Sequence, residues 1–227
     1  MMRYHGKNIH VTGTTDGLRD SLEERLIRAG ASIVSDNADS ELTVGINQKE
    51  GCDISIVPLG TESPESKIVI ELEDVIIPGS TESWGNQMML DWVRQIKNEI
   101  EPEIEHVDRF WVNVRDVTDA IACLCMSEKE TRLSGNFRMC GRRNWSSKDV
   151  IDEIRILWER YNNAINHSHT VESLSEIPSP VRGIYSEKSK TPDLSGIHQA
   201  LIASGSGGWH PVVPMRVSIM EMIAHTD

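Results

Sequence analysis

The sequence lacks any apolar run long enough to cross a membrane. No stretch approaches the about 18 uncharged apolar residues of a transmembrane helix. The opening residues, MMRYHGKNIHVTG, contain no apolar segment of signal-peptide length before a small-residue cleavage site. We therefore expect a cytoplasmic protein with no membrane partner.

Basic residues are also scarce. Lys and Arg together number 23 against 35 Asp and Glu, which gives a formal net charge of −12 at pH 7. The acidic residues are spread along helical faces and no basic stripe is present, so no surface is suited to neutralising a phosphate backbone. We expect no nucleic-acid partner.

Cysteine is rare as well, with four among 227 residues and no pair at CxxC spacing. This absence excludes a zinc ribbon and a dithiol redox motif. A chain of this length buries a core without disulfides. We expect buried, reduced thiols at Cys52, Cys123, Cys125 and Cys140.

Residues 7–34 have the pattern of a βαβ unit. The run KNIHVTG is apolar and ends in glycine, which is typical of a buried parallel strand. Leu18, Leu22, Leu26 and Ile27 follow at helical spacing, and Gly30 stands where a helix-ending glycine belongs. Because residues 31–34 then favour a second strand, the unit predicts parallel strands joined by a right-handed crossover.

The rest of the chain continues this alternation of strands and helices. Apolar runs predict strands at residues 42–44, 52–59, 67–77, 110–114 and 136–140. Helical spacing predicts helices over residues 83–100, over 116–125 with Asp116 as N-cap, and from Ser146 onward with Asp149 in the first turn. Residues 167–194 are predicted to be irregular. Together these elements predict one α/β domain over residues 1–227, with a doubly wound, mainly parallel sheet of about five to seven strands.

Three segments, in order, resemble the NAD-dependent epimerase/dehydratase family of extended short-chain dehydrogenase/reductases. VTGTTDGLRDSLEERLIRAGASIV is similar to the family's opening strand, glycine turn, helix and strand. DRFWVNVRDVTDAIACLC is similar to its late R-x-x-x-x-V-x-D-V-x-x-A-I element, and GGWHPVVPMRVSIMEMI, with Trp209 and Pro211, to its closing segment. The resemblance implies a Rossmann-type fold with a small C-terminal lobe, to which residues 79–109 and 167–210 would contribute.

The glycine turn departs from the family's G-x-x-G-x-x-G motif. Gly13 aligns with the first glycine, but Asp16 and Arg19 stand at the second and third. A carboxylate at a helix N-terminus accepts the N–H groups that would otherwise bind a phosphate, and it repels that phosphate. Two interpretations stay open: an N-cap aspartate without a nucleotide, or a nucleotide site in which Gly17 replaces the missing glycine.

The resemblance nevertheless implies where a dinucleotide would bind. NAD or NADP is the implied cofactor, although the eroded glycine motif leaves its identity and its presence undetermined. The candidate cofactor-binding residues are Gly13, Thr14, Thr15, Asp16, Gly17 and Leu18 in the turn and Asp36 near the ribose. A solvated aspartate at the end of a strand is the alternative interpretation of Asp36.

The family's catalytic pair is missing. Family members use a tyrosine as general acid/base and a lysine four positions later. No tyrosine of this chain (Tyr4, Tyr161, Tyr185) has a lysine at that spacing, and the interval from Gly60 to residues 78–79 is too short for a strand plus the tyrosine-bearing helix. We therefore expect no catalytic residue, and the usual family dimer is not assumed because many relatives use that helix to dimerise.

Arg109 and the histidines are the remaining candidates. By resemblance, Arg109 matches the arginine that contacts the substrate diphosphate, and a surface arginine at a strand start is the alternative. The histidines (His167, His169, His198, His210) have no carboxylate or cysteine at metal-binding spacing, so no metal site is predicted.

One main functional hypothesis and two alternatives follow. The main one is a catalytically degenerate epimerase/dehydratase-like protein acting as a binding or interaction module. The second is an active NAD(P)-dependent epimerase or oxidoreductase that uses a noncanonical site on a nucleotide-linked sugar. The third is a partner chain that completes the fold. Candidate partners are therefore a nucleotide or nucleotide-sugar ligand, another protein, or a second copy of this chain.

Overall fold

The computed structural model describes residues 6–48, 50–62, 64–79, 84–104, 109–127, 133–168, 170 and 191–226. Its strands are β1 (Asn8–Gly13), β2 (Ser32–Ile33), β3 (Leu42–Ile46), β4 (Ile54–Pro58), β5 (Ile68–Leu72), β6 (Val75–Ile76), β7 (Val112–Asn113) and β8 (Gly135–Met139). Six of them form one sheet in the order β2-β1-β3-β4-β5-β8, in which every pairing is parallel. The predicted Rossmann-type α/β fold with a mainly parallel sheet is confirmed.

The described α-helices follow β1, β6, β7 and β8 along the chain. They are α1 (Gly17–Arg28), α2 (Gln87–Lys97), α3 (Val114–Cys125), α4 (Ser147–Ile165), α5 (Ser195–Ala203) and α6 (Met215–His225). In α1 the predicted apolar residues Leu18, Leu22 and Leu26 are fully buried, but Ile27, predicted on the same face, is 58% exposed. The chain turns at Gly30, whose φ is +96°. Among the described helices, none is both long and apolar enough to span a bilayer.

One face of the sheet carries the first hydrophobic cluster, together with α1, α3 and α5. Ile9, Val44, Ile56 and Ile70 point to this side, as the alternation of a strand requires, and all four are fully buried. Helix α1 packs on α3, and α3 packs on α5. This layer fixes α1 at the carboxyl end of β1.

The opposite face of β3, β4 and β5 is largely buried, although the connections between these strands are short. The connections β3–β4 and β4–β5 contain no helix among their described residues, although parallel crossovers normally take a dozen residues or more. Small polar groups meet here, with the Ser55 and Ser66 hydroxyls 2.6 Å apart. Val57 and Val69 alternate onto this face and are 1% exposed. This face of β4 and β5 is therefore buried without a helix in the described part of these connections.

The second hydrophobic cluster forms a lobe around the parallel pair β6-β7. Helices α2, α4 and α6 contribute Met89, Ile154 and Ile219, which pack around Trp111. Residues 79–109 thus supply α2 to the lobe. In the segment 167–210, the described helix α5 packs on the first cluster instead.

The predicted N-cap of α3 is wrong. The helix begins at Val114, and its cap is Asn113, whose side chain accepts the N–H of Arg115 at 2.9 Å. Asp116 lies in the first turn, is 6% exposed and accepts the N–H groups of Val212 and Val213. By contrast the predicted cap of α4 is confirmed, since Ser146 Oγ accepts the N–H of Asp149.

The continuous strand predicted over residues 67–77 is also wrong. Asp74 has φ +52° and breaks the run, so β5 stays in the main sheet while β6 pairs with β7. The Asp74 carboxylate accepts the N–H of Phe110 at 2.8 Å, which stabilises the break from a distant part of the chain. The interval from Gly60 to Pro78 holds β5 and β6 and, among its described residues, no helix.

All four cysteines are free, as predicted. Cys52, Cys125 and Cys140 are buried, whereas Cys123 is half-buried. Burial raises the pKa of the Cys125 and Cys140 thiols to about 12, so both are protonated and unreactive near neutral pH.

Candidate functional site

The strand order puts a topological switch point between β1 and β3. Ligands of open parallel sheets bind outside the carboxyl ends of the strands at such a point. Gly13 ends β1 there with φ +94°, and a Cβ at this position would overlap the carbonyl oxygen of Ile46. Gly13 therefore keeps the tight-turn role of the first motif glycine.

Asp16 is the N-cap of α1, as one of the two sequence interpretations predicted. Its Oδ1 accepts the N–H groups of Leu18 at 3.0 Å and Arg19 at 3.1 Å. Free N–H groups at a helix N-terminus are what a phosphate binds. In this turn, two of them are already bonded to a negatively charged side chain.

Trp84 holds the same carboxylate from the other side. Its indole Nε1 donates to Asp16 Oδ2 at 2.8 Å, and the residue is 6% exposed. Its backbone has φ +64° and accepts the N–H of Val75 at 3.0 Å. A bulky residue in this region of φ costs about 1–3 kcal/mol, so the surrounding packing must hold it. Nothing near Trp84 in the sequence indicates this contact.

Arg19 occupies the position of the third motif glycine. Its Nη2 donates to the carbonyl of Val11 at 2.8 Å, and its Nε pairs with Glu23 at 2.7 Å. The guanidinium thus covers the end of β1 and has its charge countered within α1. In the family, the third glycine allows the helix to pack closely on the strand. Here the Arg19 side chain lies at that position.

The other predicted turn residues differ in their exposure and in their backbone hydrogen bonds. Thr14 and Thr15 are exposed, and the N–H of Thr14 donates to Ile46 at 2.9 Å. Gly17 is the first residue of α1. The Leu18 side chain is fully buried, so only its backbone faces the turn. Its N–H donates to Asp16.

A cleft of about 590 Å³ opens beside the turn, and we call it the turn cleft. It is bounded by the start of α1, residues 77–79, the start of α3 and α6. Its charged lining residues are Asp16, Asp20, Glu221 and Arg115. Arg115 pairs with Glu221 at 2.7 Å, so the carboxylates are in excess and the cleft is unfavourable for a diphosphate.

Asp36 follows β2 but has a local role. Its side chain accepts the N–H of Ala38 at 2.9 Å and caps the short 3-10 turn Asn37–Asp39. Asp36 is exposed and does not line the turn cleft. Its predicted ribose contact stays a prediction.

Arg109 lies in a different cleft, of about 440 Å³, between α2 and the start of β7. Its Nη1 is 3.1 Å from Oδ1 of Asp74, whose side chain is 1% exposed. Burial raises the pKa of Asp74, while the N–H of Phe110 and the Arg109 charge oppose that shift. The Arg109 guanidinium therefore forms an ion pair with a buried carboxylate. The structure does not bring Arg109 together with the residues of the glycine turn.

The described tyrosine, Tyr161, lies in α4 and stacks on Trp158 at 5.9 Å in the lobe. Tyr4 and Tyr185 fall outside the described residues. Among the described residues no group of three or more His, Cys, Asp or Glu is arranged to hold a metal ion. His198 and His210 meet edge to face at 5.2 Å, and His169 falls outside the described residues.

No family model and no curated relative matches the sequence. Solved structures do match the fold. The WbmF enzyme of Bordetella bronchiseptica, solved with NADH, has a TM-score of 0.59 at 10% identity over 98% of this chain and 92% of its own. RMD from Pseudomonas aeruginosa, solved with NADPH, has a TM-score of 0.57 at 12% identity over 97% of both chains.

The UDP-glucose 4-epimerase of Thermus thermophilus, solved with NAD, has a TM-score of 0.54 at 12% identity over 96% of this chain and 98% of its own. The predicted resemblance to NAD-dependent epimerase/dehydratase enzymes is thereby confirmed for the fold. At these identities the likeness carries no activity or ligand to this chain.

Proposed function

We propose that this protein is a catalytically degenerate epimerase/dehydratase-like protein that acts as a binding or interaction module. The observation that carries the proposal is the Asp16 carboxylate, which accepts two N–H groups at the start of α1 and the indole N–H of Trp84. A dinucleotide phosphate would have to displace both side chains and then face the acidic turn cleft.

The catalytic side of the proposal depends on the β4–β5 connection. The described part of that connection contains no helix, and the family chemistry needs a helix there to hold a tyrosine beside a lysine. Tyr161 is separated from the turn cleft by its place in the lobe cluster. Hydride transfer and proton transfer of the family type therefore have no acid/base residue in the described structure.

An active enzyme with a noncanonical site is the second candidate. The turn cleft, at about 590 Å³, is large enough for part of a dinucleotide, and the similar structures named above were solved with NAD, NADH or NADPH. The excess of carboxylates in this cleft makes the non-catalytic proposal the stronger one.

A partner chain that supplies a missing helix is less well supported. On the sheet face with short connections, Ser55, Val57 and Val69 are at most 1% exposed. Because these residues are already buried within the chain, they offer no exposed apolar surface for such a helix. A homo-oligomer or a protein partner bound elsewhere stays compatible with an interaction module, and the free thiols favour the cytosol.

The test is a ligand and turnover screen on the purified protein. We expect no dinucleotide absorbance in the isolated protein, no thermal shift with NAD or NADP, and no turnover of UDP-sugars. Turnover of a UDP-sugar by the wild-type protein would overturn the proposal. Tyr161→Phe then distinguishes its source, because loss of hydride transfer with an unchanged fold would assign the acid/base role to Tyr161.

A further inference from the structure

A cleft of about 400 Å³ lies between the residues after β8 and the start of α5, far along the chain from the glycine turn, and we call it the α5 cleft. Its described polar lining residues are Arg142, Thr191, Ser195, His198 and Gln199, and none of its described lining residues is acidic. In a chain with net charge −12, a cleft of this composition is unexpected.

Arg142 supplies the positive charge of this cleft. Its side chain is exposed, and Nη1 is 3.2 Å from Nδ1 of His210. A guanidinium has five N–H donors in a planar fork, so this contact leaves others available to an oxyanion. His210 in turn meets the edge of His198, which keeps both rings beside the guanidinium.

His198 is held in one tautomer by the backbone. Its Nδ1 accepts the N–H of Trp209 at 3.0 Å, so the neutral ring carries its proton on Nε2 and donates from there. Gly208, with φ +87°, packs so closely that a Cβ would overlap the His198 ring. The imidazole is therefore a fixed donor.

Two further polar residues are able to donate. Thr191 carries a hydroxyl and Gln199, on α5, an amide NH₂, whereas the Ser195 hydroxyl already donates to Asp193. Because the Arg142 fork and the Gln199 amide each carry more than one N–H, the four donor side chains offer more hydrogen bonds than the about four that a carboxylate accepts. A phosphoryl group has three strong acceptor oxygens and a charge of about −1.5 to −2, which suits these donors better.

The other wall of the cleft is apolar. Pro192, Leu194 and Trp209 complete the lining, and Trp209 is 3% exposed. Its indole Nε1 already donates to the carbonyl of Cys140 at 2.9 Å, so it adds a ring surface and no further donor. Such a wall suits an organic group attached to the phosphate.

We propose that the α5 cleft binds a small organic phosphate, with the phosphoryl group at Arg142, His198 and Gln199 and the organic group against Pro192, Leu194 and Trp209. This proposal goes beyond the proposed function and does not depend on whether the glycine turn binds a dinucleotide.

One acidic residue adjoins the cleft without lining it. Asp193 Oδ1 accepts the N–H of Ser195 at 2.9 Å, and the hydrogen bonds from Ser195 lower the pKa of Asp193. Its charge opposes an anion in the cleft. The variant Asp193→Asn keeps an acceptor for Ser195 and removes that charge, so it should tighten phosphate binding.

The test is titration of the full chain with inorganic phosphate and with phenyl phosphate, followed by calorimetry and by backbone amide NMR shifts. Phenyl phosphate should bind more tightly than phosphate, and phenol and benzoate much more weakly. Shifts should concentrate at residues 195–209. Arg142→Ala should weaken phenyl phosphate binding by about tenfold or more, because a charge-assisted contact is lost.

Matched variants separate this site from general charge effects. Gln199→Glu adds a carboxylate at an exposed lining position and should abolish binding. Arg143→Ala is the control with the same change of charge, because the Arg143 guanidinium stacks over Trp145 at 4.1 Å and does not line the cleft. Melting temperatures confirm folding of each variant.

The proposal is overturned if Arg142→Ala and Arg143→Ala weaken binding equally, if benzoate binds as tightly as phenyl phosphate, or if no variant changes the affinity. Shifts at residues 13–17 in place of residues 195–209 would also overturn it. That last outcome would count against the proposed function as well, whereas the others leave it untouched.

Discussion

The turn cleft and the α5 cleft each adjoin the start of a helix, but they carry opposite charge. In the turn cleft, Asp16 caps the helix and Asp20 and Glu221 add further negative charge. In the α5 cleft, Arg142 and His198 face the opening and no acidic residue is among the described lining. The fold alone would favour phosphate binding at the glycine turn. The charges of the side chains reverse that preference. Two proteins with the same fold therefore need not bind the same ligand.

The largest effect should come from removing the Trp84 indole, which donates to Asp16. Trp84→Ala removes a side chain that is 6% exposed and packs in the first hydrophobic cluster, so the free energy of unfolding should fall by about 3–5 kcal/mol. Urea denaturation measures this. Trp84→Phe keeps most of the ring and loses the bond to Asp16, and should cost about 1 kcal/mol. If Trp84→Ala costs no more than Trp84→Phe, the indole is not packed as described.

A smaller effect concerns Asp116, which holds residues 212–213 next to the α5 cleft. Burial is the main cause that raises the pKa of Asp116 above 3.8, and the N–H groups of Val212 and Val213 oppose the shift. Because the folded state then binds the proton more tightly than the unfolded state, this group stabilises the fold at low pH. That contribution is lost as the pH rises through the folded pKa.

The corresponding measurement is the urea midpoint as a function of pH from about pH 4 upward. As the pH rises, the free energy of unfolding should decline because of Asp116, and Asp116→Asn should remove that part of the decline. The part removed should be less than the 1.36 kcal/mol per pH unit that one proton allows. Asp39→Asn is a control on an exposed aspartate, since Asp119 itself raises the pKa of Asp116. An identical pH profile in the wild type and in Asp116→Asn would contradict this assignment.

The smallest effect tests whether Gly17 replaces the missing motif glycine. Gly17 is the first residue of α1, so Gly17→Ala should leave stability unchanged or raise it by up to about 1 kcal/mol. Gly13→Ala is the contrasting variant and should destabilise the fold strongly, because its φ is +94° and a Cβ would overlap Ile46. A large loss of stability in Gly17→Ala would show a backbone role that the structure does not give it.

Local patterns were predictable from the sequence, and long-range contacts were not. The strand, turn and helix of residues 8–28 depend on neighbouring residues, and so does the cap at Asp16. The bond from Asp16 to Trp84 joins residues 68 positions apart, and nothing near Trp84 in the sequence indicates it. Asn113, not Asp116, caps α3. The Asp116 carboxylate instead accepts the N–H groups of Val212 and Val213, which are distant in the sequence.

The α5 cleft shows the same limit. His198 and His210 were considered as metal ligands because of their residue type, but Arg142 was not connected with them. The three side chains come together because Trp209 packs into the first cluster and its N–H fixes His198. Spacing along the chain gives no signal for a site assembled in this way.

The most direct test of the central claim is calorimetric titration of NAD into the wild-type protein and into the double variant Asp16→Gly with Arg19→Gly. The double variant loses the cap, worth about 0.5–2 kcal/mol, and gains a helical glycine that costs about 1 kcal/mol, so it should be less stable. Our account predicts little or no NAD binding by the wild type and measurable binding by the double variant. Tight binding by the wild type, or no gain in a folded double variant, would contradict it.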